Sequence, residues 1–330
     1  MQNYLSKEDK KMIRLAIKLT KSEFGKFSLE FEDRYKGNIE FFPFYEMKSN
    51  QFSKSIKSSA GCFEYFWEKN KNETAELMPL DIYLTELVIC VHGLIYELLF
   101  SYFLPGSIKK APSKVSKSAK SSFLSLTLSY SNIISSLVES RRNYFEGKSI
   151  IGNVLFRHFS EMMESNILAL VDVEYFELIK QVPENKKEEF ERWKRIKPSE
   201  IRKRLKTYFN KYIEDEEFNN IFKDVSSALY EYNSKSAHGD FHVQFHSNFK
   251  GGKSGDDKEF NPWGNDHEEL KNYFTNFMVY NYNIIIVLFT AFINFHNLPM
   301  KYFGRVGKEI GFVFKVYERL MKKHLSSQIN

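Results

Sequence analysis

A chain of 330 residues that is 42% hydrophobic and 16% aromatic has enough apolar surface to bury a core, which excludes a disordered or fibrous polymer. Its two cysteines, Cys62 and Cys90, lack any metal or redox spacing, so a disulfide scaffold is excluded and both read as core thiols of a reducing compartment. A net charge of +6 is too mild to impose a nucleic-acid partner by itself.

The N-terminus has charges where a signal peptide needs an apolar run, so a cytoplasmic location is expected. Ser6 and Asp9 cap a predicted helix running to about Phe24, with Met12, Ile13, Ala16, Ile17 and Leu19 as its apolar side. Phe27 to Phe52 is crowded with aromatics, contains Gly37 and Pro43 and holds no period, which suggests short strands or a loop. After Pro79 an apolar helix runs to Leu104 and stops at Pro105 and Gly106, closing an N-terminal helical region over 1–106.

Leu87 to Leu104 and Met278 to His296 are each about as long as a bilayer crossing. The first carries His92 and Glu97 and the second Asn281, Asn283 and Asn294, costly residues in lipid but ordinary in a helix surrounded by protein. Both are predicted as buried core helices, and no membrane partner is expected.

Residues 107–122, SIKKAPSKVSKSAKSS from Ser107, supply almost nothing to bury and read as an exposed linker. A core helical region follows over 123–240. Phe123 to Glu146, closed by Gly147, and Ile150 to Asp172 form a predicted helical hairpin. The second helix is apolar around most of its circumference, Ile151 and Val154 included, except for one stripe of Arg157, Glu161 and Glu164. Such a helix should be buried and its Arg and Glu paired, because an isolated interior charge is too costly to keep.

Pro198 opens a basic helix. Arg195, Lys197, Arg202, Lys203, Arg204, Lys206 and Lys211, interleaved with Trp193, Tyr208 and Phe209, form a candidate contact for a nucleic-acid backbone. The competing reading is a solvated amphipathic helix with Ile201, Leu205 and Tyr208 turned inward.

Phe218 to Asp240 gathers the chemically suggestive residues. Phe218, Ile221, Phe222, Val225, Leu229 and Tyr232 share one helical face, while Tyr230, Ser234 and His238 line up at i, i+4 and i+8 on another. Gly239 ends the helix, so His238 sits in its last turn, where the helix dipole favours the protonated ring. Phe241 to Phe249 alternates as a strand does, which keeps His242 and His246 about 13 Å apart and argues against a shared zinc ion. GGKSG, in a predicted loop from Lys250 to Gly264, lacks the upstream glycine of a phosphate loop. Asp266 caps a long helix to about His296, stopped by Pro299, and a basic helix runs from Arg305 to His324, so that 241–330 is a loop and two helices packed on the core. The expected fold is an all-α bundle of about eight to ten helices with at most a minor β element near Phe27 to Phe52 or Phe241 to Phe249. No cofactor and no metal are expected.

VLFRHFSEMMES with LYEYNSKSAHGD resembles a group of uncharacterised bacterial helical proteins carrying paired Arg-x-x-x-Glu and Tyr-x-x-x-Ser-x-x-x-His motifs; the matching positions are Arg157, Glu161, Tyr230, Ser234 and His238. More distantly the chain resembles the HEPN superfamily of helical proteins, which includes metal-independent ribonucleases of toxin and antiphage systems. Asn233 and His238 suit that signature, whereas Tyr232 stands where its arginine belongs. The resemblance covers roughly Phe123 to Asp240. It implies a site in which an arginine stabilises phosphate charge and a histidine handles the proton of the ribose 2′-hydroxyl, with Arg157 substituting from the neighbouring helix.

Three functions compete. One is an RNA-binding or RNA-cleaving effector using His238 and Arg157, with RNA as partner. The second is a non-catalytic interaction subunit, with a protein partner or a homo-oligomer, in which Arg157, Glu161, Tyr230, Ser234 and His238 form a buried network. The third is a small-molecule sensor with a helical pocket.

Overall fold

The computed structural model describes residues 6–8, 11, 67, 69–75, 77–104, 117–214, 249–251, 258–260 and 266–329. The expected opening helix past residue 11, the aromatic segment at 27–52, Cys62 and the stretch from Phe218 to Asn248 lie outside them.

The fold is all-α. In chain order the bounded helices are α1 (Pro79–Phe103), α2 (Lys117–Phe145), α3 (Ser149–Val171), α4 (Val173–Lys180), α5 (Lys186–Ile196), α6 (Pro198–Phe209), α7 (His267–Thr290) and α8 (Gly304–Ile329). A π-helical turn, Ala291–Phe295, and a 3-10 turn, Met300–Phe303, connect the last two.

α1 is the central helix. Pro79 opens it, where a missing N–H costs nothing, and its length packs against α2, α7 and α8. Leu84, Val88, Val91, Leu94, Leu98 and Leu99 are completely buried. Among the described residues, α1 and the segment Glu268–Phe295 are the two helical stretches long and apolar enough to cross a membrane, and most of each apolar window is buried inside the protein. Cys90 is a buried free thiol in α1.

α2 and α3 form the expected hairpin. Gly147, at φ 78°, lets the turn close: its N–H donates to Tyr144 O at 3.1 Å and the Lys148 N–H to Asn143 O at 2.8 Å. Gly152 permits a close approach of the two helices, because a Cβ there would overlap the Tyr144 ring, which is itself stacked on Tyr273 of α7. α4 and α6 cover α3, and α7 crosses both α1 and α3. Asp266 Oδ1 accepts the Glu269 N–H at 3.0 Å and starts α7 as its capping chemistry requires.

Three expectations are corrected. The linker assigned to 107–122 is too long at its C-terminal end, because α2 already begins at Lys117 and buries Ala119 and Ser122. Ile151 and Val154 of α3 face outward and are 51% and 36% exposed, so that helix is not enclosed all round. The predicted loop at 250–264 contains the greater part of a two-stranded antiparallel ladder, β1 (Phe249–Gly251) with β2 (Lys258–Phe260), in which Phe249 lies opposite Phe260.

Candidate functional site

The polar stripe of α3 divides into two parts. Arg157 and Glu161, one turn apart, are joined by an Nε–H donated to Oε1 at 2.8 Å, with side chains 18% and 28% exposed. Glu164, one turn further, is completely buried. Its Oε2 accepts from Arg202 Nε of α6 at 2.9 Å and its Oε1 from the Tyr280 hydroxyl of α7 at 3.1 Å. Burial pushes the Glu164 carboxyl above the ordinary carboxylate range, while the Arg202 charge and the two hydrogen bonds pull it back. Burial, then the Glu164 charge, holds the Tyr280 hydroxyl well above the usual phenol range.

Arg202, a candidate nucleic-acid contact, is paired with an interior carboxylate. Arg204 is paired likewise. Its guanidinium lies 2.5 Å from Asp172 Oδ2, while Asp172 Oδ1 accepts the Tyr175 N–H and caps α4. The interior carboxylates draw these arginines inward, because uncompensated charges there would cost several kcal/mol each, on the order of 3–5. Of the remaining expected contacts, Arg195, Lys203 and Lys211 are exposed and Lys197 and Lys206 are half-buried. Lys211 Nζ lies 4.6 Å from the Tyr212 ring centroid. The aromatic interleaving is also broken, since Phe209 is completely buried against Phe295 and Tyr208 is half-buried with its ring near the same residue. Ile201 and Leu205 point into the core, as the amphipathic reading requires.

His238, Ser234, Asn233 and Tyr230, together with Tyr232, and so the expected facing of their stripe with that of α3, lie outside the described residues.

Sequence reasoning missed a second polar centre. His92 of α1 is completely buried between α2 and α7. Its Nε2 meets Asn281 Oδ1 at 2.8 Å, and the Asn281 amide nitrogen donates to Phe277 O at 2.8 Å, which fixes that oxygen as an acceptor and puts the ring proton on Nε2. His92 Nδ1 therefore accepts from the Tyr130 hydroxyl at 2.8 Å. Burial lowers the His92 pKa to about 4, so the ring is neutral at pH 7. With every polar atom of the imidazole satisfied and no exposed surface, the triad pins three helices together. The signal was present, since a histidine and an asparagine in two long apolar helices each need a partner and are each other's best candidate. Two further contacts between helices extend the pattern: a hydrogen bond of His324 Nε2 with Asp81 Oδ1 at 2.8 Å joins α8 to α1, and the ion pair of Arg141 with Glu86 joins α2 to α1.

Among the described residues no group of three or more His, Cys, Asp and Glu side chains gathers as a metal site. A cleft of about 360 Å³ lies between the end of α4 and α5, where Leu178, Val182 and Pro183 meet Glu188, Glu191 and Arg192. Arg192 donates to Leu178 O and Ile179 O, the terminal carbonyls of α4, at 3.2 and 2.7 Å.

No family model matches the chain, and no curated protein or solved structure matches it significantly.

Proposed function

We propose that the chain is an RNA-binding or RNA-cleaving effector of a bacterial defence or toxin system, acting without a metal, with Arg157 and His238 at its site. The observation that carries this reading is the state of Arg157: Glu161 orients its guanidinium through Nε, and the side chain reaches the surface. An arginine fixed in direction by a carboxylate one turn away is preorganised to meet phosphate charge. In this chemistry His238 takes the proton of a ribose 2′-hydroxyl, whose oxygen attacks the adjacent phosphorus, or delivers a proton to the departing 5′-oxygen. The products are a 2′,3′-cyclic phosphate and a 5′-hydroxyl.

The test is incubation of the purified chain with total RNA, reading fragment ends. Wild type is expected to generate cyclic phosphates, and Arg157→Ala and His238→Ala to lose about 100-fold or more in rate. Intact RNA with the wild-type chain removes the catalytic part of the proposal.

A specific observation favours a second reading, a non-catalytic helical interaction subunit. Arg202 and Arg204 are spent on interior carboxylates, as a structural network uses its cations. On this reading Arg157→Ala lowers stability by about 1–3 kcal/mol, and RNA stays intact.

A further inference from the structure

α5 has two unlike faces and buries no residue. Glu188 and Glu191 line the cleft against α4. On the opposite side Phe190 and Trp193, one turn apart, stack with ring centroids 6.0 Å apart and planes 13° from parallel, and are 54% and 53% exposed. By the 100° rotation per residue, Lys186, Lys187 and Lys194 surround that pair. Lys186, Lys187 and Lys194 are exposed, and Lys194 Nζ lies 4.4 Å from the Phe190 ring centroid. Two large rings left half in water on a helix this short are the composition of an interface centre rather than of a solvated face.

We propose that this face of α5 docks an acidic segment of a protein partner, with apolar side chains covering Phe190 and Trp193 and carboxylates meeting the lysine rim. The charges select the partner: the rim is positive, and no carboxylate among the described residues pairs with Lys186 or Lys187, whereas Lys194 is engaged by Glu191 at 2.7 Å. The geometry disfavours a nucleic-acid strand. A polyanion needs a continuous track of cations, yet the next turns of basic residues toward α6 commit Arg202 and Arg204 to interior carboxylates, and the exposed Glu189 adjoins Trp193 by helical rotation. This proposal does not rest on the Arg157 and His238 reading and stands whether or not that site cleaves RNA.

The experiment is selection from a random peptide display library on the immobilised full chain, followed by binding of the selected peptides to wild type, Phe190→Ser/Trp193→Ser and Lys186→Glu/Lys187→Glu. The expected result is enrichment of peptides rich in Asp and Glu with interspersed aliphatic or aromatic residues. Their affinity should fall at least 10-fold on either double variant and weaken with added salt. Far-UV circular dichroism confirms that each variant is folded. No enrichment, enrichment without acidic bias, or equal binding to the variants overturns the proposal. So does a labelled single-stranded RNA that binds the wild-type chain and loses its affinity on the same two variants, since that outcome gives the face to nucleic acid.

Discussion

Two stacked aromatic pairs separate the inner helices from the outer one. Phe156 of α3 and Phe277 of α7 lie 5.5 Å apart and are 1% and 0% exposed, whereas Phe190 and Trp193 of α5 make a similar stack with more than half of each side chain in solvent. The rings alone do not distinguish these regions. Their polar neighbours do: the inner helices carry His92, Glu164 and Asp81, each bound across to another helix, while α5 makes its ion pair locally, between Glu191 and Lys194, and its Asn185 cap within its own first turn. α5 reaches another helix through Arg192, on its cleft side, while the charges around its rings are satisfied locally, which leaves that second face available to something else.

The strongest way to break this contrast is Arg202→Leu. Removing the guanidinium leaves Glu164 completely buried with only the Tyr280 hydroxyl, and breaking such a pair from one side costs about 3–5 kcal/mol. Equilibrium denaturation of the variant measures it. A loss below about 1 kcal/mol would mean that water reaches Glu164 and that the inner network is not what the contrast requires.

The His92 triad sharpens the contrast through pH. An imidazole with an ordinary pKa of 6.5 when unfolded and about 4 when folded takes up its proton earlier in the unfolded chain. Stability from this group is therefore complete above pH 6.5 and is lost progressively as pH falls toward 4, by about 3 kcal/mol in all. His92→Asn should be less stable at pH 7, because Tyr130 loses its acceptor, yet show a flatter decline between pH 6.5 and 4. Parallel declines in wild type and variant would assign the acid sensitivity to other groups.

The helices themselves were legible because their ends and periods are local. Gly147, Asp266, Pro79 and Pro198 mark boundaries by their own backbone chemistry, and the apolar runs of α1 and α7 are too long for a strand. The partners of polar residues were not legible, because they depend on distance in space. Glu164 pairs with Arg202 rather than Arg157, although Arg157 is closer in sequence. Helical spacing placed Arg157 beside Glu161, but it gave no means of knowing that α6 would pack on α3 and bring Arg202 to an interior carboxylate. The start of α2 escaped for the converse reason: lysine and serine composition resembles a solvated connection, and only the burial of Ala119 and Ser122 reveals packing.

The smallest expected effect is on the outer helix, and it is the one that decides what α5 is for. Replacing Phe190 and Trp193 together by serine removes two large rings, which in the core would cost at least 3 kcal/mol each, roughly the value for truncating a buried aromatic. Here each ring is about half exposed, each stacks mainly on the other, and the helix is anchored elsewhere, by Arg192 on the α4 carbonyls and by the Asn185 cap. What is lost is the stack itself and the contact with Lys194, while two patches of apolar surface are withdrawn from water. These terms oppose one another, so the change in stability should stay within about 0.5 kcal/mol, as for substitutions away from packed features. Thermal unfolding of the double variant beside wild type measures it. A loss above about 2 kcal/mol would place the rings in the packed structure and leave α5 no face to offer a partner.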